Sequence, residues 1–251
     1  MDKFVIEGGH QLSGRVKISG AKNAALAIMP ATLLNNGKNI ITNVPEVNDI
    51  FTMIKLLRHL GVDTDYSEER LILDTSNIIS QHAPYEHVKK MRASVYVLGP
   101  LLTKYGYAKV SMPGGCAWGP RPINLHLEAM KKMGAEIKLE GGDIIARASR
   151  LHGAHINFNI SSVGATGNTL MAAVLAKGTT LLQNAAMEPE ITNLGEYLID
   201  MGARIGGVGT NQLEIEGVDE LSFTDTEIIS DRIEAGTLLI AGAITKSEIE
   251  I

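Results

Sequence analysis

Aromatic residues, cysteine and long apolar runs are all scarce in this chain. Phe, Tyr and Trp make up 4% of its 251 residues, with a single Trp. Ring stacking therefore does not fill its core. The plentiful Ala, Leu, Ile, Val, Met and Gly fit helices packed closely on sheets through small side chains. One cysteine excludes an internal disulfide and a zinc-cysteine cluster, and it fits a reducing, cytoplasmic setting. The histidines are scattered without ligand spacing, so no metal or other cofactor is expected. Nothing approaches the roughly 20 apolar residues of a membrane span. Met1-Asp2-Lys3-Phe4 lacks the pattern of a secretion signal. Positive charge is not in excess either: the net charge is −5, which argues against a nucleic-acid partner or an anionic membrane surface. A chain of this length forms one large domain or two small ones.

What is present is a repeat of about 70 residues, the scale of a supersecondary block used several times. Three segments share one order: an apolar helix, a strand, an amphipathic helix stopped by glycine, then two short strands. The first helices begin near Ala24, Ala93 and Thr169, and apolar residues on nearly every side predict burial all round. Pro30 and Pro100 fall inside two of them and should kink or shorten them. The second helices place Ile50, Ile54 and Leu57, or Leu127 and Met130, or Ile191, Leu194 and Leu198, on one face. Gly61, Gly134 and Gly202 are their expected C-terminal caps. The alternating stretches around Leu71, Ile144 and Leu213 predict hairpins. Outside the triple, residues 3–6 and 14–18 read as strands, and residues 231–243 read as one more first helix. The expected fold class is α/β, an inside-out, barrel-like arrangement with sheets outside and helices within.

Chemistry concentrates where strands lead into helices. Ser19-Gly20-Ala21-Lys22-Asn23 puts a lysine and an amide at such a junction, where free backbone amides favour an anion; a solvated lysine fits the spacing equally well. Lys89, Lys90 and Arg92 precede the second buried helix, and Arg92 leads straight into the apolar run. Cations there are unfavourable unless an anion is bound, so Arg92 is the expected ligand, with the two lysines solvated. Ser161-Ser162-Val163-Gly164-Ala165-Thr166-Gly167-Asn168 is the third junction, where small residues admit a ligand to the backbone and hydroxyls can cap the helix. A threefold arrangement would bring these junctions to one end of the helices, with Asn124 and His126 on the same rim.

The lone cysteine sits in Pro113-Gly114-Gly115-Cys116-Ala117-Trp118-Gly119-Pro120-Arg121-Pro122. A buried thiol acting as a small hydrophobe is the ordinary reading. The glycines and prolines around Cys116, with Arg121 nearby, point instead to an accessible thiol beside a cation that favours the thiolate or holds an anion.

Together with the Lys22 and Ser162 motifs, Glu188-Pro189-Glu190-Ile191 and Asp231-Arg232-Ile233-Glu234, this loop resembles the UDP-N-acetylglucosamine 1-carboxyvinyltransferase branch of the enolpyruvyl transferases. The likeness runs from end to end. It implies the enolpyruvyl transferase fold, with residues 22–229 a complete three-repeat domain and residues 1–21 and 230–251 stubs of a second domain, because members of that branch continue well beyond Ile251. It implies transfer of enolpyruvyl from phosphoenolpyruvate to the sugar 3'-hydroxyl, an early step of peptidoglycan synthesis, in the cytoplasm. By the same resemblance Cys116 would be the catalytic acid and the target of fosfomycin. Lys22, Arg92 and Arg121 would join it around phosphoenolpyruvate. Asn23, Arg121, Pro122, Ile123, Asn124, Leu125, His126, Ser162, Val163 and Gly164 would hold the UDP-sugar. Asn124 stands where an aspartate is common, and Trp118 where an aliphatic residue is usual. The expected partners are the two small-molecule substrates and a C-terminal half or another copy of the chain. This chain alone is expected to be incomplete as an enzyme. A truncated, non-catalytic paralogue that binds nucleotide sugar or a protein is the alternative, and the acidic balance and cysteine loop disfavour the related RNA 3'-phosphate cyclases.

Overall fold

The computed structural model describes residues 3–89, 91–112 and 123–251. Three units follow one another. The first comprises α1 (Lys22–Ala31), β2 (Lys38–Thr42), α2 (Asn48–Leu60), β3 (Asp63–Ser67) and β4 (Arg70–Asp74), preceded by β1 (Ser13–Arg15). After β5 (His82–Ala83) and the short α3 (Tyr85–Val88) comes the second, with α4 (Leu98–Tyr105), β6 (Tyr107–Ser111), α5 (Asn124–Lys132), β7 (Glu136–Glu140) and β8 (Asp143–Arg147). β9 (His155–Asn157) leads to the third: α6 (Val163–Ala173), β10 (Thr179–Gln183), α7 (Pro189–Asp200), β11 (Arg204–Gly206) and β12 (Gln212–Glu216). β13 (Thr226–Glu227), α8 (Arg232–Thr245) and β14 (Glu248–Glu250) complete the chain.

Each unit builds a four-stranded sheet whose edge strand comes from the unit before. The orders are β5-β6-β8-β7, β9-β10-β12-β11 and β13-β2-β4-β3. β5, β9 and β13 pair in parallel with β6, β10 and β2. The third unit therefore hands its strand back to the first, and the ring closes in sequence. Sequence patterning did not reveal these two- and three-residue strands, which are too short to show alternation. The barrel-like expectation is refined accordingly: the described strands form separate sheets joined by exchanged edges, with no single closed barrel.

Helices α1, α4 and α6 fill the centre. From Ala24 to Ala31 every residue of α1 is buried, and so is α6 from Ala165 onward. They run parallel, with repeat-related residues meeting. Gly99 N–H donates to Asn168 Oδ1 at 2.7 Å and Thr103 Oγ1 to the Ala172 carbonyl at 2.8 Å, each pair 69 residues apart. That separation is the repeat length read from the sequence. At the C-terminal ends, the Lys104 ammonium reaches the Asn35 carbonyl and, at 2.8 Å, Asn36 Oδ1. The prolines act as expected. After Pro30, α1 tightens into the 3-10 turn Thr32–Leu34, and Pro100 falls in the first turn of α4, preceded by the 3-10 stretch Arg92–Val97. Gly61, Gly134 and Gly202 follow α2, α5 and α7 with φ near +100°, where a side chain would be strained.

The strands show one face in and one out, so the apolar sides of the sheets cover the helices. A buried polar cluster bridges the first and third units: Asn35 and Asn39 exchange amide hydrogen bonds, and Tyr197 Oη donates to Asn39 Oδ1 at 3.0 Å.

Outside the ring two expectations change. Residues 3–6 form no strand here: Phe4, Val5 and Ile6 are exposed and pair with no sheet edge among the described residues, which a strand requires. The strand expected at 14–18 is shorter and earlier, β1, paired in parallel with β14. The helix expected at 231–243 is present as α8, capped by Asp231, whose carboxylate accepts from the Ile233 and Glu234 amides.

Tyr197→Phe removes one of two donors to Asn39 Oδ1 and is expected to cost about 1 kcal/mol in urea unfolding. Asn39→Ala, which strands several buried partners at once, is expected to cost at least twice as much by the same measurement.

Candidate functional site

The parallel central helices point their N-terminal ends the same way, and the candidate residues ride on those ends. Lys22 opens α1. Its ammonium lies 2.8 Å from Asp49 Oδ2 in the first turn of α2, with both side chains about 40% exposed (42% and 38%). So open a pair adds little stability, about 1 kcal/mol at most, but it sets where the lysine rests. Asn23 beside it is exposed. Arg92 opens the stretch Arg92–Val97 and is half-buried. Ser162 is the N-cap of α6, its Oγ accepting from the Ala165 amide at 3.3 Å, so this hydroxyl serves the helix. Val163 and Gly164 follow, partly exposed.

His126 joins two of these ends. It projects from α5, is 3% exposed, and its Nδ1 lies 3.0 Å from Asn168 Nδ2. The far edge of the ring lies against Gly164: a Cβ there would sit 3.2 Å from Cε1 and Nε2. Burial, and next the charge of Arg92, push the His126 pKa down to about 4. The ring is therefore neutral at pH 7 and offers a hydrogen bond, not a charge. Its neighbours differ: Ile123 and Leu125 are buried, whereas Asn124 is exposed and its amide reaches Glu128 Oε1 at 3.4 Å.

Arg92, His126 and residues 162–164 thus meet on one rim from the second and third units. Lys22 and Asn23 stand on the first unit, held by the Asp49 contact. Cys116, Arg121 and Pro122 lie outside the described residues, as do Lys90 and Trp118. Lys89 is exposed, with its ammonium 5.6 Å from the centre of the Tyr85 ring.

The long connection carrying Cys116 takes the place of a short turn in the other two units. After β2 and β10 the chain turns at Asn43 and Asn184, both with φ +55°, and reaches the next helix at once. Their amides donate to the Ile228 and Phe158 carbonyls, beside the exchanged edge strands. The equivalent residue after β6 is Met112, and the stretch from there to Ile123 is more than twice as long.

The reading of the sequence gave no role to three contributors, although Asn168, Glu190 and Arg232 stand within its motifs. Asp49 carries no motif. Asn168 had one available signal, a polar amide in an otherwise apolar helix. The third is the ion pair of Glu190, 3% exposed at the start of α7, with Arg232 Nε at 3.1 and 3.3 Å. Nearby, Glu234 accepts from the Ser19 amide and hydroxyl, and the chain segments around Gly20 and Ser230 run side by side.

A family model described as EPSP synthase (3-phosphoshikimate 1-carboxyvinyltransferase) matches residues 6–251. The chain belongs to this family. It is 60% identical, over its whole length, to UDP-N-acetylglucosamine 1-carboxyvinyltransferase of Chloroherpeton thalassium, covering 59% of that protein. It is 55% identical to the protein of the same name from Hydrogenovibrio crunogenus over 98% of the chain and 59% of the relative. The chain thus spans about 60% of the length of these relatives. Among solved structures, the enolpyruvyl transferase NikO from Streptomyces tendae matches 94% of the chain and 56% of its own, with TM-score 0.83 and 26% identity. An EPSP synthase from Acinetobacter baumannii, at TM-score 0.72 and 19% identity, shares the fold. The expected enolpyruvyl transferase fold is therefore correct. Among the described residues, no helix is long and apolar enough to cross a membrane.

The neutral His126 makes a prediction for this family member. Its native pKa, about 4, lies below the ordinary 6.5, so between those values the unfolded chain binds more protons than the folded one. Stability contributed by the neutral ring is full above pH 6.5 and is lost as pH falls toward 4. His126→Gln is expected to flatten urea-unfolding stability across this window relative to the parent chain.

Proposed function

We propose that this chain is the N-terminal part of an enzyme that transfers enolpyruvyl from phosphoenolpyruvate to the 3'-hydroxyl of UDP-N-acetylglucosamine, releasing phosphate. The observation that carries this reading is the 60% identity over the entire chain to a protein named for that activity. The placement of Lys22 and Arg92 at the N-terminal ends of the central helices, with His126 of α5 beside them, is consistent with it. Phosphoenolpyruvate is strongly anionic, and helix N-termini with added cations suit its phosphate and carboxylate. The sugar oxygen adds to the central carbon of the enol and its hydroxyl proton leaves to a base, while the methylene carbon gains a proton; loss of phosphate and of a methyl proton then restores the double bond.

In this reading Cys116 delivers the proton, and Lys22, Arg92 and Arg121 hold phosphoenolpyruvate. Asn23, residues 121–126 and residues 162–164 take the UDP-sugar, with the Ser162 hydroxyl acting on the ligand only indirectly, through the helix it caps. Residues 22–229 form one domain, in keeping with the cyclic exchange of edge strands, and residues 1–21 and 230–251 belong to a second. The protein works in peptidoglycan synthesis in the cytoplasm, and turnover requires the longer protein of which this chain covers the first part.

Titration calorimetry of the chain with UDP-N-acetylglucosamine tests the reading. Saturable binding to one site is expected, and its absence would favour a non-catalytic paralogue. In the longer protein, Arg92→Ala is expected to weaken phosphoenolpyruvate binding roughly 10- to 100-fold, the scale of a lost charge-assisted contact. Rapid phosphate release by the 251-residue chain alone would overturn the requirement for further residues.

A further inference from the structure

Asn168 is fully buried within α6, and its side chain is bonded in three directions. Oδ1 accepts from the Gly99 amide at 2.7 Å, Nδ2 donates to the Val95 carbonyl at 2.9 Å, and Nδ2 lies 3.0 Å from His126 Nδ1. Only the oxygen can accept the Gly99 proton and only the nitrogen can serve the Val95 carbonyl, so the amide has one orientation. Both of its N–H groups are then committed. The imidazole Nδ1 must accept, and the neutral ring carries its proton on Nε2, the edge that lies against Gly164. Gly99 admits this contact because it has no side chain; a Cβ there would fall 2.5 Å from both the backbone and side-chain oxygens of Asn168.

Asn168 and two of its partners, Val95 and His126, belong to the three pieces of the rim. Val95 lies in the turn opened by Arg92, His126 stands on α5 beside Asn124, and Asn168 is on α6, which begins after Ser162. We propose that Asn168 is a positioning residue for the nucleotide-sugar site, holding His126 as its Nε2–H tautomer and fixing these three pieces in one arrangement. The ligand half of this proposal rests on the assignment of residues 123–126 and 162–164 to the UDP-sugar.

Asn168→Asp separates this role from simple packing. A carboxylate keeps the shape and can accept from Gly99, but it can donate neither to His126 nor to the Val95 carbonyl. The ring must then protonate Nδ1, by switching tautomer or by becoming imidazolium. Proton-detected nitrogen NMR of the histidine-labelled chain is expected to show Nε2–H and a bare Nδ1 in the parent, and a protonated Nδ1 in Asn168→Asp. UDP-N-acetylglucosamine affinity, measured by calorimetry, is expected to fall roughly tenfold or more in the variant. A proton on Nδ1 of the neutral parent ring overturns the proposal without any variant, so a misfolded Asn168→Asp does not shelter it. An unchanged tautomer or unchanged affinity in a folded variant overturns it as well. If the parent shows the Nε2–H tautomer yet binds no nucleotide sugar, the UDP-sugar reading falls along with the ligand half, and the tautomer lock is supported.

Discussion

The constraint on which this molecule depends is the parallel pairing of each sheet with a strand that arrives from the previous unit. A parallel pair cannot be joined by a tight turn; it needs a crossover, and here the crossover is a central helix. β5 and β6 are separated by α4, and β9 and β10 by α6. For the first sheet no single helix makes that link: α1 leads into β2 as α4 and α6 lead into β6 and β10, but the matching edge strand, β13, comes from the far end of the sequence. The helices are thereby committed to the same direction, and their walls are sheets whose apolar faces turn inward. Residues 69 apart meet across the centre, where α4 and α6 run side by side in the same direction.

Parallel helices have an electrostatic consequence. Their amide ends lie together, and so do their carbonyl ends, so partial charges accumulate where antiparallel packing would cancel them. The carbonyl end is met inside the chain: the Lys104 ammonium sits among the Asn35 carbonyl and the Asn36 side chain. The amide end carries Lys22 and Arg92, which by helix electrostatics alone are badly placed. Asp49 partly offsets the first of these charges through its contact with Lys22. His126 is buried beside Arg92 and stays neutral, which avoids adding a further cation at a crowded positive end.

Much of this was readable because helical periodicity and glycine caps are local. Ile50, Ile54 and Leu57 mark α2, and Gly61 ends it, with no knowledge of the rest of the fold. The central helices were legible for a different reason: residues apolar on every side have no place but the interior. The exchanged strands were not legible, since two residues such as His82–Ala83 cannot display alternation, and their pairing depends on an edge elsewhere in the chain. The N-terminal residues 3–6 failed in the opposite sense. Their β-branched and aromatic composition favours a strand, but composition supplies no partner. At the site, motif reading found the charged and small residues; it included Asn168 but gave it no role, because the importance of Asn168 lies in what it touches.

The threefold repeat also shows where specialisation is tolerated. Asn43 and Asn184 use the same left-handed turn and the same amide contact to close the connection between strand and second helix. Asparagine suits that conformation because its short polar side chain offsets the strain locally. In the middle unit Met112 replaces it, and this amide contact is lost from the series. Neither β6 nor α5 depends on that turn: β6 is held by β5 and β8 on either side, and α5 by its packing on α6. The two ends of the connection are thus fixed by their own contacts. A long insert carrying Cys116 and Arg121 at this one position alters neither the ring of sheets nor the central helices.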